Sequence, residues 1–393
     1  MKKNVSFRVK NFIEFRIQML NWANRFNIFC FLDNHTYNFS KPAFECLLGA
    51  GCRDNIEKQA GGAFECLREF QTLHKNEWLF GHLGYDLKNE TGHHRSSNYD
   101  GIKFPDLHFF VPEIIVQLSR HDVTIICESD AENIYREILS FPTQISGREY
   151  GSAEIQNRIN KKKYLQIIEQ LKIHILRGDC YEINFCQEFY TKNKTGNTIF
   201  SQPIKGTSKR VPFDQQADEE SKQYLLRSCK EKSENVMIVD LVRNDLSRVC
   251  VPGSVKVEEL FGLYSFPQVH QMISTVSGKL NSDSGLTDIF IATFPMGSMT
   301  GAPKIRVMQL IEQYEQTKRG LFSGAIGYIK PDEGFTSTGP DFDFNVVIRS
   351  ILYNATDQYL SFQTGSGITY YSDAAMEYEE SLLKAAAMMK VMQ

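Results

Sequence analysis

No segment of this sequence approaches the run of about 18 apolar residues that a membrane-spanning helix needs. The basic start MKKNVSFRVK has no apolar stretch of signal-peptide length behind it. Charge of one sign is lacking too. A net charge of −3 and a pI near 6.3 give no basic field for nucleic acid and no reason to expect a membrane surface as partner. The nine cysteines are scattered, odd in number and never spaced CxxC. That argues against a disulfide framework and leaves reduced, mostly buried thiols as the expectation. A cytoplasmic location is expected on these grounds. The HHR run at 93–95 lies among Asn, Gly and Ser, so it reads as a solvated loop rather than a metal site.

What is present is ordinary globular material, with 42% hydrophobic and 23% charged residues. At 393 residues the chain exceeds the usual size of one core, so two subdomains or one large two-sheet domain is expected. The working division is an N-terminal subdomain over 1–150, contributing to the sheets, and a C-terminal region over 151–393, within one compact unit. No linker rich in Pro, Gly or Ser separates them. The pentapeptide AFECL occurs at Ala43 and at Ala63, but nothing around it repeats.

The local patterns give a coarse secondary structure. WLFGHLGYDL (78–87) reads as a strand ending in a turn, and FPDLHFFVPEIIVQL as a strand after a Pro-marked entry. Tyr164, Ile167, Ile168, Leu171 and Ile175 make the stripe of a helix starting near Lys161 and stopped by Gly178. YEINFCQEF reads as a strand, 219–232 as a polar helix, 236–248 as a second helix and 253–260 as a strand. Residues 284–294 read as helical, and Pro303 opens a helix over 304–316. GLFSGAIGYI, FNVVIRSILYN and YLSFQTGSGI are strand patterns, and a last helix over 374–392 is capped by Ser372 or Asp373. Helices that do not strictly alternate with strands make this an α+β chain.

Several segments have the residue types for a small anionic ligand. Glu377 and Glu380, three apart on the last helix, share a face and can offer oxygen ligands to a hard cation, although spacing alone favours a solvated face. GSGI (365–368) has two glycines that permit close backbone approach, or form a plain turn. GSMTGAPK (297–304) precedes a helix N-terminus suited to an anion but lacks the spacing of a phosphate-binding Walker loop. PIKGT (203–207) offers Lys205 in a constrained turn, where an exposed lysine is the ordinary outcome. Arg349 interrupts an apolar strand and calls for a carboxylate partner. Together these predict a site for a small polyanion with Mg²⁺ and leave the substrate unnamed.

Taken in order, the blocks GDCYEINFCQEF, PIKGT, ENVMIVDLVRND, VHQMIST, FPMGSMTGAPK, RGLFSGAIGY, FNVVIR, GSGI and EYEESLLKA resemble the chorismate-utilising family. That family includes anthranilate synthase component I, aminodeoxychorismate synthase component I, and the isochorismate and salicylate synthases. The resemblance runs from about residue 161 to the C-terminus, and FGHLGYDL and FPDLHFF are similar to its amination subgroup. It implies a large two-sheet α/β sandwich of the anthranilate synthase component I type, with the active site between facing sheets. It also implies amination of chorismate at C4 to 4-amino-4-deoxychorismate, for p-aminobenzoate and folate.

By the same resemblance Glu234 and Glu380 match the magnesium-binding glutamates, and Glu377 matches a second carboxylate of that metal site. Arg349, Tyr328, Gly365 and Gly367 match the grip on the enolpyruvyl carboxylate. Thr300 and Lys304 lie in the block lining the ring site, and His270 matches a histidine beside the ring. Lys205 stands where anthranilate synthases carry alanine and amination enzymes carry the lysine that prepares C2; as a nucleophile its amine must be neutral. Glu182 stands where isochorismate and salicylate synthases carry a water-activating lysine and amination enzymes more often glutamine. Anthranilate synthesis, disfavoured by Lys205, and an inactive chorismate-binding homologue are the alternatives.

Two departures qualify the resemblance. Family members carry several dozen residues, including an SPE motif with the general acid, between the QEF-type strand and PIKGT. Here only TKNKTGNTIFSQ joins Tyr190 to Pro203, so the general acid has no candidate. Residues are expected to be missing from this sequence, with a chain break near 190–197. No G-x-C-x-G nucleophile elbow occurs, so ammonia is expected from a separate glutamine amidotransferase subunit or from solution.

Overall fold

The structure is a computed structural model that describes residues 3–34, 44–92, 95–144, 158–184, 189–192, 198–211, 213–266, 269–332 and 341–392. The chain begins with β1 (Lys3–Arg8), α1 (Phe12–Ala23), β2 (Phe29–Asp33), β3 (Cys46–Ala50), β4 (Asp54–Lys58), α2 (Ala63–Leu73) and β5 (Leu79–Leu83). It continues through α3 (Lys88–Gly92), β6 (Leu107–Val111), β7 (Ile114–Leu118), β8 (Asp122–Cys127) and α4 (Ala131–Ser140). The expected single strand over FPDLHFFVPEIIVQL is two, β6 and β7. Pro112 falls between them, where its missing N–H ends a ladder. Of the two AFECL segments, the second forms the start of α2, whereas the Cys46 and Leu47 of the first lie in β3.

Then follow α5 (Lys161–Leu176), β9 (Glu182–Asn184), β10 (Phe189–Lys192), β11 (Thr198–Lys209), α6 (Gln215–Arg227), α7 (Cys229–Ser247), β12 (Lys256–Ser265) and β13 (Val269–Lys279). After α8 (Leu286–Thr293) come α9 (Gly297–Thr300), β14 (Gly301–Ala302), α10 (Lys304–Tyr314), β15 (Ala325–Ile329) and β16 (Phe342–Val346). The chain closes with β17 (Ile351–Asn354), β18 (Tyr359–Phe362), β19 (Gly367–Ile368) and α11 (Ala374–Met392). None of the described helices is long and apolar enough to cross a membrane.

Two compact units emerge. One comprises Met1–Ile56, Glu77–Gly81 and Phe109–Gly151; the other comprises Glu57–Asn76, His82–His108 and Ser152–Gln393. The second unit takes in 57–76 and 82–108 as well as 152–393. In the first unit an antiparallel sheet in the order β1-β8-β7-β3-β2 packs with α1 and α4 around Met19, Trp22, Leu48, Val116, Ile125 and Ile138. Asn11 and Asp130 cap the two helices through backbone N–H groups of their first turns.

In the second unit, strands run β12-β13-β11-β10-β16-β15, with antiparallel registers such as Ser201↔Val276 and Gly327↔Phe344. Helix α5, capped by Asn160 and followed by Gly178 in the left-handed region (φ +80°), buries Ile167, Ile168 and Leu171 against Val307, Leu310 and Ile311 of α10. Asp373 caps α11, accepting from the N–H groups of Ala375 and Met376 at 3.0 Å.

The helix boundary expected in the low 230s is found instead at Ser228. Its hydroxyl accepts from the N–H of Glu231 at 3.3 Å and starts α7. One helix therefore runs through Lys230 and Glu234, which places their side chains one turn apart on one face. Strands β10 and β11 pair directly, Phe189↔Pro203 and Tyr190↔Gln202. The break expected near 190–197 falls largely on 193–197, which lie outside the described residues, as do His93 and His94 of the HHR run.

Candidate active site

A small sheet gathers three of the sequence blocks. β9, from GDCYEIN, pairs on one side with β14 (Gly301↔Ile183) and on the other with β19 (Gly367↔Asn184, Ile368↔Ile183). Gly301 has φ +137°, and a Cβ there would collide with the Glu182 carbonyl oxygen, so only glycine permits this approach. Glu182, Asn184 and Thr300 are fully buried at this junction. The Thr300 hydroxyl donates back to the Gly297 carbonyl at 3.0 Å. Gly365 and Gly367 are buried, and Lys384 of α11 donates to the Gly365 carbonyl at 2.9 Å. Between those glycines the Ser366 hydroxyl is buried without a hydrogen-bond partner among the described residues.

Arg319 fixes this junction from beneath. The residue is 2% exposed, and its guanidinium pairs with Glu315 at 2.7 Å. It also donates to the carbonyls of Met299 at 2.6 Å and Asn184 at 3.3 Å, and lies 4.5 Å from the Tyr85 ring centroid. One side chain thus ties the residue before Thr300 to β9. The sequence reading passed over it.

Of the three glutamates matched to a metal, Glu234 and Glu377 meet at one side chain, Lys230. Glu234 of α7 is 5% exposed and Glu377 of α11 is 2% exposed. Glu377 Oε1 lies 3.3 Å and Glu234 Oε1 3.9 Å from the same atom, Lys230 Nζ. Burial works to lower the Lys230 pKa, but the charges of Glu234, Glu377, Glu380 and Glu231 outweigh it and raise it. The solvated face that spacing favoured holds for Glu379, which meets Lys161 at 2.8 Å near the surface. It does not hold for Glu377, which α11 turns inward. Glu380, half-exposed, pairs with Lys384 at 2.6 Å.

Among the described residues no three His, Cys, Asp or Glu side chains form a closed metal-holding group. What exists is an open arrangement: two buried carboxylates from separate helices, both reached by Lys230, with Glu377 Oε2 buried and without a hydrogen bond among the described residues. Mg²⁺ is held in this way by one or two carboxylates plus substrate oxygens and water, so the donor set fits that ion.

Lys205 lies in β11 rather than in a turn. The ladder to β13 is irregular between Ile204 (opposite Ile273) and Thr207 (opposite Gln271), and Gly206 takes φ +100° in this bulge. His270, on β13 beside the bulge, is 2% exposed. Its Nε2 donates to Asp218 Oδ1 at 3.1 Å and its Nδ1 meets the Ser265 hydroxyl at 2.8 Å, so neighbours occupy both nitrogens. Asp218 also accepts from Arg210 and from the Val211 N–H, and that backbone bond comes first in holding its carboxyl down at about 2.

Lys304 is committed elsewhere. Its ammonium meets Asp245 Oδ2 of α7 at 2.6 Å, so it does not stand free to line a ring. Burial lowers the Lys304 pKa and raises that of Asp245, and each charge opposes the shift of the other. Next to this pair is an apolar pocket walled by Val242, Leu246, Phe290 and Phe344, with Asp245 as its one charged group; none of the expected ligand residues lines it. Tyr328 faces Asp343 across β15 and β16, and burial raises its phenol well above the ordinary value.

Arg349 departs most from expectation. β16 ends at Val346, because its partner β15 begins at Ala325, opposite Val346. Val347 still bonds to Ser323 and Gly324 through its backbone, and beyond it Arg349 sits in a bend at φ +46°, exposed. It is therefore not a strand residue, and among the described residues no carboxylate pairs with it.

Comparison with known proteins places the chain. A family model described as chorismate binding enzyme matches residues 30–195 and 189–390. The two stretches meet where the link to PIKGT is short. The chain is 32% identical over 348 residues to aminodeoxychorismate synthase component 1 of Salmonella typhimurium, covering 77% of this chain and 74% of that one. It is 30% identical to the protein of the same name from Escherichia coli, covering 79% and 76%. Among solved structures, anthranilate synthase component I from Streptococcus pneumoniae superposes with a TM-score of 0.72 at 24% identity, over 91% of this chain and 95% of that one. The menaquinone-specific isochorismate synthase of Escherichia coli gives 0.72 at 14% identity, over 100% and 95%. The chain belongs to the family of chorismate binding enzymes, and the expected α+β fold of that family is the one found.

Proposed function

We propose that this chain replaces the C4 hydroxyl of chorismate with an amino group, giving 4-amino-4-deoxychorismate for p-aminobenzoate and folate synthesis. The observation that carries the reading is that relatives alike over about three quarters of both chains bear the name aminodeoxychorismate synthase component 1. Lys205, at the position where the amination branch of the family differs from the anthranilate branch, supports it. The name component 1 also supports a second component. In this reading that component is a separate glutamine amidotransferase delivering ammonia, and both work in the cytoplasm.

Glu234 and Glu377, with Glu380 at the rim, are the groups that would hold Mg²⁺. When bound, the ion supplies Lewis-acid polarisation of the substrate's ring carboxylate and eases departure of the C4 hydroxyl. The small sheet offers the carboxylates of chorismate a close backbone at Gly365 and Gly367, with the Ser366 hydroxyl between them. Tyr328, kept protonated by burial, is a hydrogen-bond donor. Arg349, on its exposed bend, is the cation offered to the enolpyruvyl carboxylate. Lys205, whose amine must be neutral for this role, gives its electron pair to C2 as the C4–O bond breaks. Ammonia then bonds to C4 and the lysine is expelled. The proton lost from nitrogen and the departed hydroxide sum to water. His270, held by Asp218 and Ser265, is a candidate to orient the ring from β13.

The test is incubation with chorismate, an ammonium salt and Mg²⁺, with and without aminodeoxychorismate lyase. The reading expects p-aminobenzoate only when the lyase is present. Anthranilate without lyase would replace it with anthranilate synthesis, and chorismate binding without turnover would make the chain an inactive homologue.

A further inference from the structure

Lys230 is the side chain that the proposed cation site leaves unexplained. It sits in the first turn of α7, 38% exposed, yet its ammonium reaches two carboxylates that are almost wholly buried, one on its own helix and one on α11. An ordinary helix-surface pair joins two solvated groups one turn apart and contributes little. Here the partners are Glu234 and Glu377, at 6% and 2% side-chain exposure, and two such charges side by side are strongly unfavourable without a cation. The Glu377–Lys230 contact links residues 147 positions apart, so it belongs to the tertiary fold and not to the helix. The Lys230 ammonium, 3.3 Å from Glu377 and 3.9 Å from Glu234, therefore lies within reach of both carboxylates, where a divalent cation would compete with it.

We propose that Lys230 is a built-in counter-cation: it neutralises Glu234 and Glu377 in the metal-free protein and must be displaced for a divalent ion to bind between them. This rests on the reading of these glutamates as the cation site and adds a consequence to it. The ammonium is tethered and partly exposed, so it can swing to solvent as the ion arrives. Metal affinity is then set by competition and is weaker than two buried carboxylates would otherwise give. The metal-free protein is in turn spared the cost of two unpaired buried charges.

The experiment uses the full chain and Mn²⁺ alone, without substrate, with free Mn²⁺ followed by its paramagnetic resonance signal and Tm followed in parallel. Lys230→Gln is expected to bind Mn²⁺ about tenfold more tightly than the wild type, the order of effect of removing one competing charge. Its Tm should fall in metal-free buffer and return to the wild-type value at saturating Mn²⁺. Lys230→Arg, which keeps the charge, should bind no more tightly than the wild type. Unchanged Mn²⁺ affinity in Lys230→Gln, or a loss of Tm that Mn²⁺ does not repair, overturns the proposal. Glu377→Gln separates the two levels. If it abolishes Mn²⁺ binding while Lys230→Gln has no effect, only the counter-cation role fails. If it leaves Mn²⁺ binding intact, the cation site fails and the proposal with it.

Discussion

Asp245 of α7 and Lys304 of α10 meet at 2.6 Å with 5% and 15% of their side chains exposed. This buried pair ties the first turn of the helix after GSMTGAPK to the end of the helix that carries Glu234. Removing one partner leaves the other charged and out of water. Asp245→Asn and Lys304→Met are each expected to cost about 3–5 kcal/mol of stability, the usual penalty for breaking a buried pair. The double variant should cost clearly less than the sum. Urea unfolding of the three variants measures this; simple additivity would show that the two side chains are not coupled.

Arg319 is the second buried charge with a positioning role. Lysine cannot supply its fork to Glu315 together with the Met299 and Asn184 carbonyls. Arg319→Lys should therefore lower stability by about 2–4 kcal/mol, close to the cost of a broken buried network. Chorismate KM should rise as the Thr300 segment loosens from β9. A variant as stable as the parent, with unchanged KM, would make Arg319 a bystander.

A pair of histidines sets an acid limit. His82 donates to the Pro105 carbonyl at 3.1 Å and its ring lies 5.8 Å from that of His108. Burial holds His82 down at about 4 and lowers His108 as well. A histidine depressed in the folded state binds its proton more readily when unfolded. Its contribution is therefore complete above about pH 6.5 and is lost as the pH falls towards 4. Tm should drop across that window, and His82→Gln should flatten the drop. An equally steep fall in the variant would trace it to other groups.

Much of the second unit was legible because its signals are local. The stripe of α5, its Gly178 stop, the Asp373 cap of α11 and the strand patterns of β15 and β18 each depend on neighbours in sequence. What failed depended on partners far away. AFECL is helix in α2 and strand where it enters β3, since the sheet and not the pentapeptide decides. Arg349 looked like a strand residue because the apolar run continues through it, but β16 ends at Val346, opposite the start of β15. Glu377 and Glu380 share a spacing yet differ in burial, which only the position of α7 determines. Lys230, inside the charged run KEKSE, carried no signal that could separate it from a solvated helix face. Arg319 likewise stood in a recognised block without a hint of the contacts that hold the junction together.

In the proposed reading, Lys205 is the residue on which the product depends. Lys205→Ala should cut p-aminobenzoate output in the lyase-coupled assay by at least about a hundredfold, the scale of losing a nucleophile. Chorismate affinity should change by less than about 0.5 kcal/mol, as for a side chain that acts in the chemical step, and a trace of anthranilate is expected. Full output in the variant would remove Lys205 from the mechanism and restore anthranilate synthesis as an equal reading.

The central claim is that nitrogen enters at C4. It is tested most directly by incubating the chain with chorismate, Mg²⁺ and isotope-labelled ammonium and locating the label in the isolated product by nuclear magnetic resonance. The account predicts the label on C4 of a ring that still carries its enolpyruvyl ether. Label on C2, or on an aromatic ring formed without lyase, would contradict it.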